Sequence, residues 1–417
     1  MKEVNTLKTL IKFEFLKTLR KKSTLIVMAV SLIVTVFLFG LPILQYQTYN
    51  QEGVIKGFEG ITYDKEQYEQ EAVPLTEEYI ASTVKEVQQL FENPDNVGFD
   101  GTEQFIIGDA YWNHIAPRED LLNRIASNYA GANEYAGYNK LPELDMTNGA
   151  NFYDIREEKI NSILNDTNRN FSDEQKEYWQ KKNSQVEIPL QYGYYEGWEV
   201  ITSAFELLLF ALMAVCIVIA PVFSGEYQAG TDAVILSGKY GKTKLITAKI
   251  VSSFIFGILA FTLHVVVALG LPLAAFGVEG WKLPIQVANT SIPYAYTFLE
   301  ATLVNLGVIY MLLLAMISLT LLLSAKMKSP YLVLIVLIPV LFIPMFLSPN
   351  GTTGAYNLTL LLLPYYSTMP KYGSYITYGF GGIVLDAFTA RTILYAVLTV
   401  IMLPLAKIGF MKHQVSA

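Results

Sequence analysis

Long uncharged apolar blocks alternate along this chain with short charged segments. No Asp, Glu, Lys or Arg occurs from Ser23 to Gln51, Leu207 to Gly225, Ile250 to Val278, Ala301 to Ala325, Ser329 to Pro370 or Thr392 to Ala406. About 20 residues rising about 1.5 Å each cross the hydrocarbon of a bilayer, so such blocks read as membrane spans. The pattern places spans at 23–44, 200–223, 246–276, 299–324, 329–348 and 391–411. The fold class expected is an all-α integral membrane protein.

Three regions break this pattern. In residues 1–22 the apolar set Leu7, Leu10, Ile11, Phe15 and Leu19 recurs at spacings of three and four among Lys8, Lys12, Lys17, Arg20, Lys21 and Lys22. That predicts an amphipathic helix lying in the interface, its lysines towards the headgroups. Residues 45–199 are polar and predict a separate, mainly helical domain. Helices are expected over Thr76–Phe91, stopped by Asn93-Pro94, over Pro117–Tyr129, and from Ser172, where Ser172 and Gln175 form a capping-box pattern. In 349–390 the apolar run Tyr356–Pro364 is too short to cross and is followed by glycines and aromatics. A re-entrant, half-inserted helical pair is expected there, tolerated where protein covers it.

Charge orients the chain. Residues 45–199 hold 29 Asp and Glu against 12 Lys and Arg, a net of −17, and the remainder is net +10. Seven bases precede the first span, and bases at span ends fall fifteen to three on that same side outside the large insert. By the positive-inside rule both termini and 224–245 are cytoplasmic and 45–199 is extracytoplasmic. Tyr46, Tyr49, Tyr192, Tyr194, Tyr195, Trp198 and Trp281 then fall at outer span ends, where amphipathic rings favour the headgroup layer. The first block is longer than a signal sequence's apolar core and lacks a small-x-small site, so a retained span is expected. The single cysteine, Cys216, leaves the insert without a disulfide.

Candidate chemistry is sparse. The stretch Val234–Lys249 (VILSGKYGKTKLITAK) has the outline of a strand, a phosphate loop and a helix. A phosphate loop needs a glycine five residues before the one in Gly241-Lys242-Thr243, and that place holds Leu236. No cofactor is therefore expected on this chain. His114 has no second His and no Cys within residues 45–199 with which to form a zinc set. The insert's many carboxylates suit a solvated face better than a hydrolase pair. Within the spans Glu206, His264, Glu300 and Asn305 are the polar exceptions, candidates either for a translocation pathway or for hydrogen bonds between helices. Pro339 and Pro344 predict a kink in the fifth span.

Residues 224–249 (SGEYQAGTDAVILSGKYGKTKLITAK) resemble the loop between the second and third spans of ABC-2 type ABC transporter permeases. The matching positions are Glu226, Gly230-Thr231, Leu236-Ser237, Lys242 and Lys244, and Ala248-Lys249. Where many members carry a proline after the Leu-Ser, this chain has Gly238-Lys239-Tyr240. The interfacial helix, the six spans and the re-entrant segment before the last span agree with the same family, and the large insert is found in a subset of it. The resemblance implies one half of an exporter's membrane part, in a bacterial plasma membrane, moving an amphipathic, lipid-like or peptide cargo. It implies a second permease subunit, identical or homologous, and two copies of a cytoplasmic ABC ATPase that handle ATP and Mg²⁺. No nucleic-acid partner is expected. Segment 224–245 would then be the coupling element, with Glu226, Tyr227, Gly230, Thr231, Asp232, Lys239 and Lys242 as the residues that meet the ATPase. The alternative reading is a membrane-anchored sensor whose insert binds an extracellular ligand.

Overall fold

A computed structural model describes residues 2–70, 73–131 and 134–412 of the chain. Five helices are long and apolar enough to cross a membrane: Lys22–Gln45, Phe205–Gln228, Gly241–Phe276, Phe298–Lys326 and Ala387–Met411. The second is articulated: Phe205–Leu207 is a 3₁₀ turn, Leu208–Ile219 is α-helical, and Pro221 opens Pro221–Gln228. Its proline sits at a helix start, where a missing N–H leaves nothing unpaired. A sixth apolar segment is shorter. Pro330–Phe342 is α-helical and Ile343–Phe346 is 3₁₀. Together these rise about 28 Å, close to the hydrocarbon thickness of about 30 Å. The segment starts beside Lys326, and Phe342 meets Phe210 with ring centroids 5.5 Å apart, so it runs back from one end of the bundle to the other.

The segment expected at the interface is helical over Lys2–Leu19 and breaks at Lys21, whose extended backbone (φ −67°, ψ 132°) turns the chain into the first long helix. Phe298–Lys326 and Ala387–Met411 lie side by side and parallel. Near their starts Tyr372 stacks on Phe388 (4.6 Å) and its hydroxyl donates to Ala301 O, and near their ends Gly409 lies against Ala325 and Lys326. A glycine there lets the two backbones close on each other.

Residues 349–390 form two short helices, Ala355–Leu360 and Pro364–Thr368, and then an antiparallel ribbon pairing Thr377–Phe380 with Ile383–Asp386. The ribbon was not expected from the sequence. Buried Arg391, at the start of the last long helix, holds the short helices through their carbonyls: Nε and Nη2 donate to Leu361 O (3.1 and 3.0 Å) and Nη1 to Met369 O (3.3 Å).

The insert is helical over Gly57–Gln70, Glu77–Glu92, Glu119–Tyr129, Phe152–Asn165 and Asp173–Asn183, and its strands pair only as two-stranded ribbons among the described residues. Thr76 caps one expected helix by accepting from Tyr79 N, and Ser172 with Gln175 forms the capping box that starts another. The insert's core runs on into the bundle. Trp179 is fully buried, its ring 5.5 Å from Tyr294 and 5.2 Å from Tyr375, and Tyr195 stacks on Phe298 at 5.0 Å. Arg156, also buried, donates to Thr290 O (2.7 Å), Asn183 Oδ1 (2.7 Å) and Ile292 O (3.3 Å). The polar domain is thus seated on the loop 277–297 and on the ribbon 377–386.

Candidate functional site

Segment 224–245 lies at the end of the bundle remote from the insert. Pro221–Gln228 is followed by a turn in which Thr231 N donates to Glu226 O (3.0 Å) and Gly230 takes φ +66°. A side chain at that φ would be strained. Asp232–Ser237 forms one short helix, so Val234, Ile235 and Leu236 are helical and form no strand. Gly241 begins a π-helical turn that feeds Ile246–Phe276. A Cβ on Gly241 would lie 1.6 Å from Ile235 O, so close packing requires this glycine.

Four charged side chains meet beneath the segment. Lys249 Nζ lies 2.8 Å from Glu226 Oε1 and 3.1 Å from Glu14 Oε2, and Lys17 Nζ lies 2.9 Å from Glu226 Oε1. Thr231 Oγ1 donates to Glu226 Oε2 at 2.5 Å. Lys249 and Glu14 are 3% and 6% exposed. Burying an ammonium group is costly unless carboxylates lie close to it, and here two do. The network joins the interfacial helix, the end of the second long helix, the turn at Thr231 and the start of the third. Next to it Tyr227 donates to Ala325 O (3.0 Å) and stacks on Phe410 (5.5 Å), which ties the segment to the fourth and last long helices as well.

The expected coupling residues therefore divide. Glu226, Tyr227 and Asp232 are turned into the protein, Thr231 closes the turn, and Gly230, Lys239 and Lys242 are exposed beside Val234. Lys239 and Lys244 sit over the Tyr240 ring at 5.5 and 4.8 Å. Glu14 and Lys249 were not among the expected site residues. The signal for them was available. Glu14 is the one acid between Lys8 and Lys22, and Lys249 is a charge set just inside an apolar helix.

The four polar residues singled out in the apolar blocks have separate partners. His264 Nε2 is 2.9 Å from Ser31 Oγ and Nδ1 is 2.8 Å from Ala260 O, a tie between the third and first helices. Asn305 Nδ2 donates to Thr368 O (3.0 Å), which docks the short helix Pro364–Thr368. Glu300 forms a capping box with Thr297, accepting from Thr297 N at 2.9 Å. Glu206 is half-buried at the insert end of the second helix. No group of three or more potential metal ligands occurs among the described residues.

A family model described as "ABC-2 family transporter protein" matches residues 8–414. No curated protein and no solved structure matches the chain.

Proposed function

Since the chain belongs to the ABC-2 family of transporter proteins, whose members sit in membranes and work with an ABC ATPase, we propose that it is the permease subunit of an ATP-driven exporter. In this reading segment 224–245 is cytoplasmic and receives the stroke of a separate ATPase. Two permease halves flank the path of an amphipathic, lipid-like or peptide cargo. ATP and Mg²⁺ are handled by the ATPase.

The observation that carries the reading is the ion network at Lys249. A push on the exposed face of the segment, where Gly230, Val234, Lys239 and Lys242 lie, cannot be absorbed by the loop alone. Glu226 passes it to Lys249 on the third helix and to Lys17 on the interfacial helix, and Tyr227 passes it to the fourth. Such a joint converts closure of two ATPase subunits into movement of whole helices, which a two-state transporter needs.

The test is co-expression and co-purification with any ABC ATPase encoded at the same locus, followed by assay of transport-linked ATP hydrolysis. Lys239→Glu/Lys242→Glu should leave the chain inserted and folded while weakening ATPase docking by about tenfold, the effect of reversing rim charges at an interface, and Gly230→Leu should weaken it by straining the turn between the two short helices. Unchanged docking and transport in both variants would overturn the assignment.

A further inference from the structure

The insert carries net −17, yet one of its clefts is lined by cations. It has a volume of about 390 Å³ and lies between the helices Glu119–Tyr129 and Phe152–Asn165 on one side and residues 288–291 with Gly373 on the other. Arg124, Lys159 and Arg169 line it, with a single carboxylate, Glu134, among the lining residues.

These cations are incompletely used by the protein. Lys159 Nζ donates to Ser127 O (2.6 Å) and has no ion pair among the described residues. Arg169 Nη1 donates to Ser374 O (3.1 Å), and its Nε reaches Asp166 only at 4.0 Å. Arg124 is better supplied, through Asp120 (3.2 Å), Ala288 O (2.6 Å) and Tyr195 OH (3.1 Å), but its buried Nε has no partner. Asn289 accepts from Ser291 N through Oδ1 (2.9 Å), which leaves its amide N–H groups available on the opposite wall. Burial lowers the Lys159 pKa below its ordinary value, more than Glu134 raises it. Three cations therefore face a partly desolvated cleft in which Glu134 is the one lining carboxylate, and the natural complement is an anion with several acceptor oxygens.

We propose that this cleft binds a phosphate ester, its phosphate oxygens taken by Lys159, Arg169 and Asn289. Its volume exceeds that of a bare phosphate, so an organic substituent fits beside the ring of Tyr135. The walls come from the insert and from two loops of the bundle, so an occupant would brace the one against the other. The inference stands on the cleft alone and does not depend on the ATPase reading above.

The test uses the full chain in nanodiscs of neutral phosphatidylcholine, titrated with glycerol 3-phosphate and followed by melting temperature against chloride at matched ionic strength. Saturable stabilisation beyond the chloride control is expected. Lys159→Gln/Arg169→Gln should weaken binding by about tenfold or more, through loss of two charge-assisted contacts. Glu134→Gln should tighten it several-fold by removing the facing carboxylate, so the result does not rest on a loss that misfolding could mimic. If discs containing phosphatidylglycerol compete with the soluble ester, the phosphate belongs to a lipid headgroup; if they do not, it belongs to a soluble ester. No stabilisation beyond chloride, or variants that titrate like the parent chain, would overturn the site.

Discussion

Lys249 holds three segments together because it is a buried cation with two carboxylates. Lys249→Met removes the cation and leaves Glu14 and Glu226 close together and short of positive charge. Breaking a buried ion pair from one side is destabilising by about 3–5 kcal/mol. Lys17 still reaches Glu226, so the lower end of that range is expected, read as a fall in melting temperature in detergent. Lys249→Arg should lose much less. A second residue sets a pH dependence. Burial, then the nearby charges of Glu199, Asp120 and Asp64, push the Glu196 carboxyl up to about 7 from its ordinary 4.5. Between those values the folded chain holds more protons than the unfolded one. Stability therefore falls as pH rises from 4.5 to 7 and levels off above. Glu196→Gln should flatten that window and leave the chain about 2–3 kcal/mol more stable than its parent at about pH 8, measured by denaturation across pH.

At the scale of elements, legibility followed the strength of the local signal. Each long apolar helix was visible because a bilayer-length run without charge has few other solutions. Thr76 and Ser172 announced helix starts because a cap is a local hydrogen bond. The helices Gly57–Gln70 and Phe152–Asn165 and the ribbon at 377–386 were not anticipated. Their apolar faces are weakly periodic, and their stability comes from what they pack against. The turn before the third long helix illustrates both cases. Its glycines stand out in the sequence, but only the fold shows that Gly241 lies against the Ile235 carbonyl. Gly241→Ala must displace the short helix Asp232–Ser237, because the added carbon would sit 1.6 Å from that oxygen. The expected result is faster proteolysis of the loop 229–245 with the remaining helices still protected. Arg391→Met should act the same way on the opposite end. Leu361 O loses both of its guanidinium donors, at about 1–3 kcal/mol for a buried carbonyl left unpaired, while Met369 O loses one and keeps Lys371 N. Protease sensitivity or amide exchange across 347–372 would report it.

For the whole molecule, the decisive contact is between the insert and the bundle. Arg156 reaches across to the carbonyls of Thr290 and Ile292, and Trp179 is enclosed by Tyr294 and Tyr375. Arg156→Met should loosen the insert as a unit, with amide exchange rising together in 152–183 and 288–292 while the long helices are unaffected. Exchange confined to the mutated helix would show that the insert is held by its aromatic contacts instead. By itself the sequence determined the membrane class, the rough limits of the long apolar helices, the polar character of residues 45–199 and the segment resembling a permease coupling loop. Those properties depend on runs of hydrophobicity, caps and charge balance, each set within some 20 residues. Only the tertiary structure decided that Glu226 turns inward to Lys249 and Lys17, that Glu14 joins them, and that Arg124, Lys159 and Arg169 converge on one cleft. These groupings lie beyond any local pattern, and Glu14 and Lys249 are 235 residues apart. A charge read along the sequence carries its sign but not its partner, and in a desolvated setting the partner determines what that charge does.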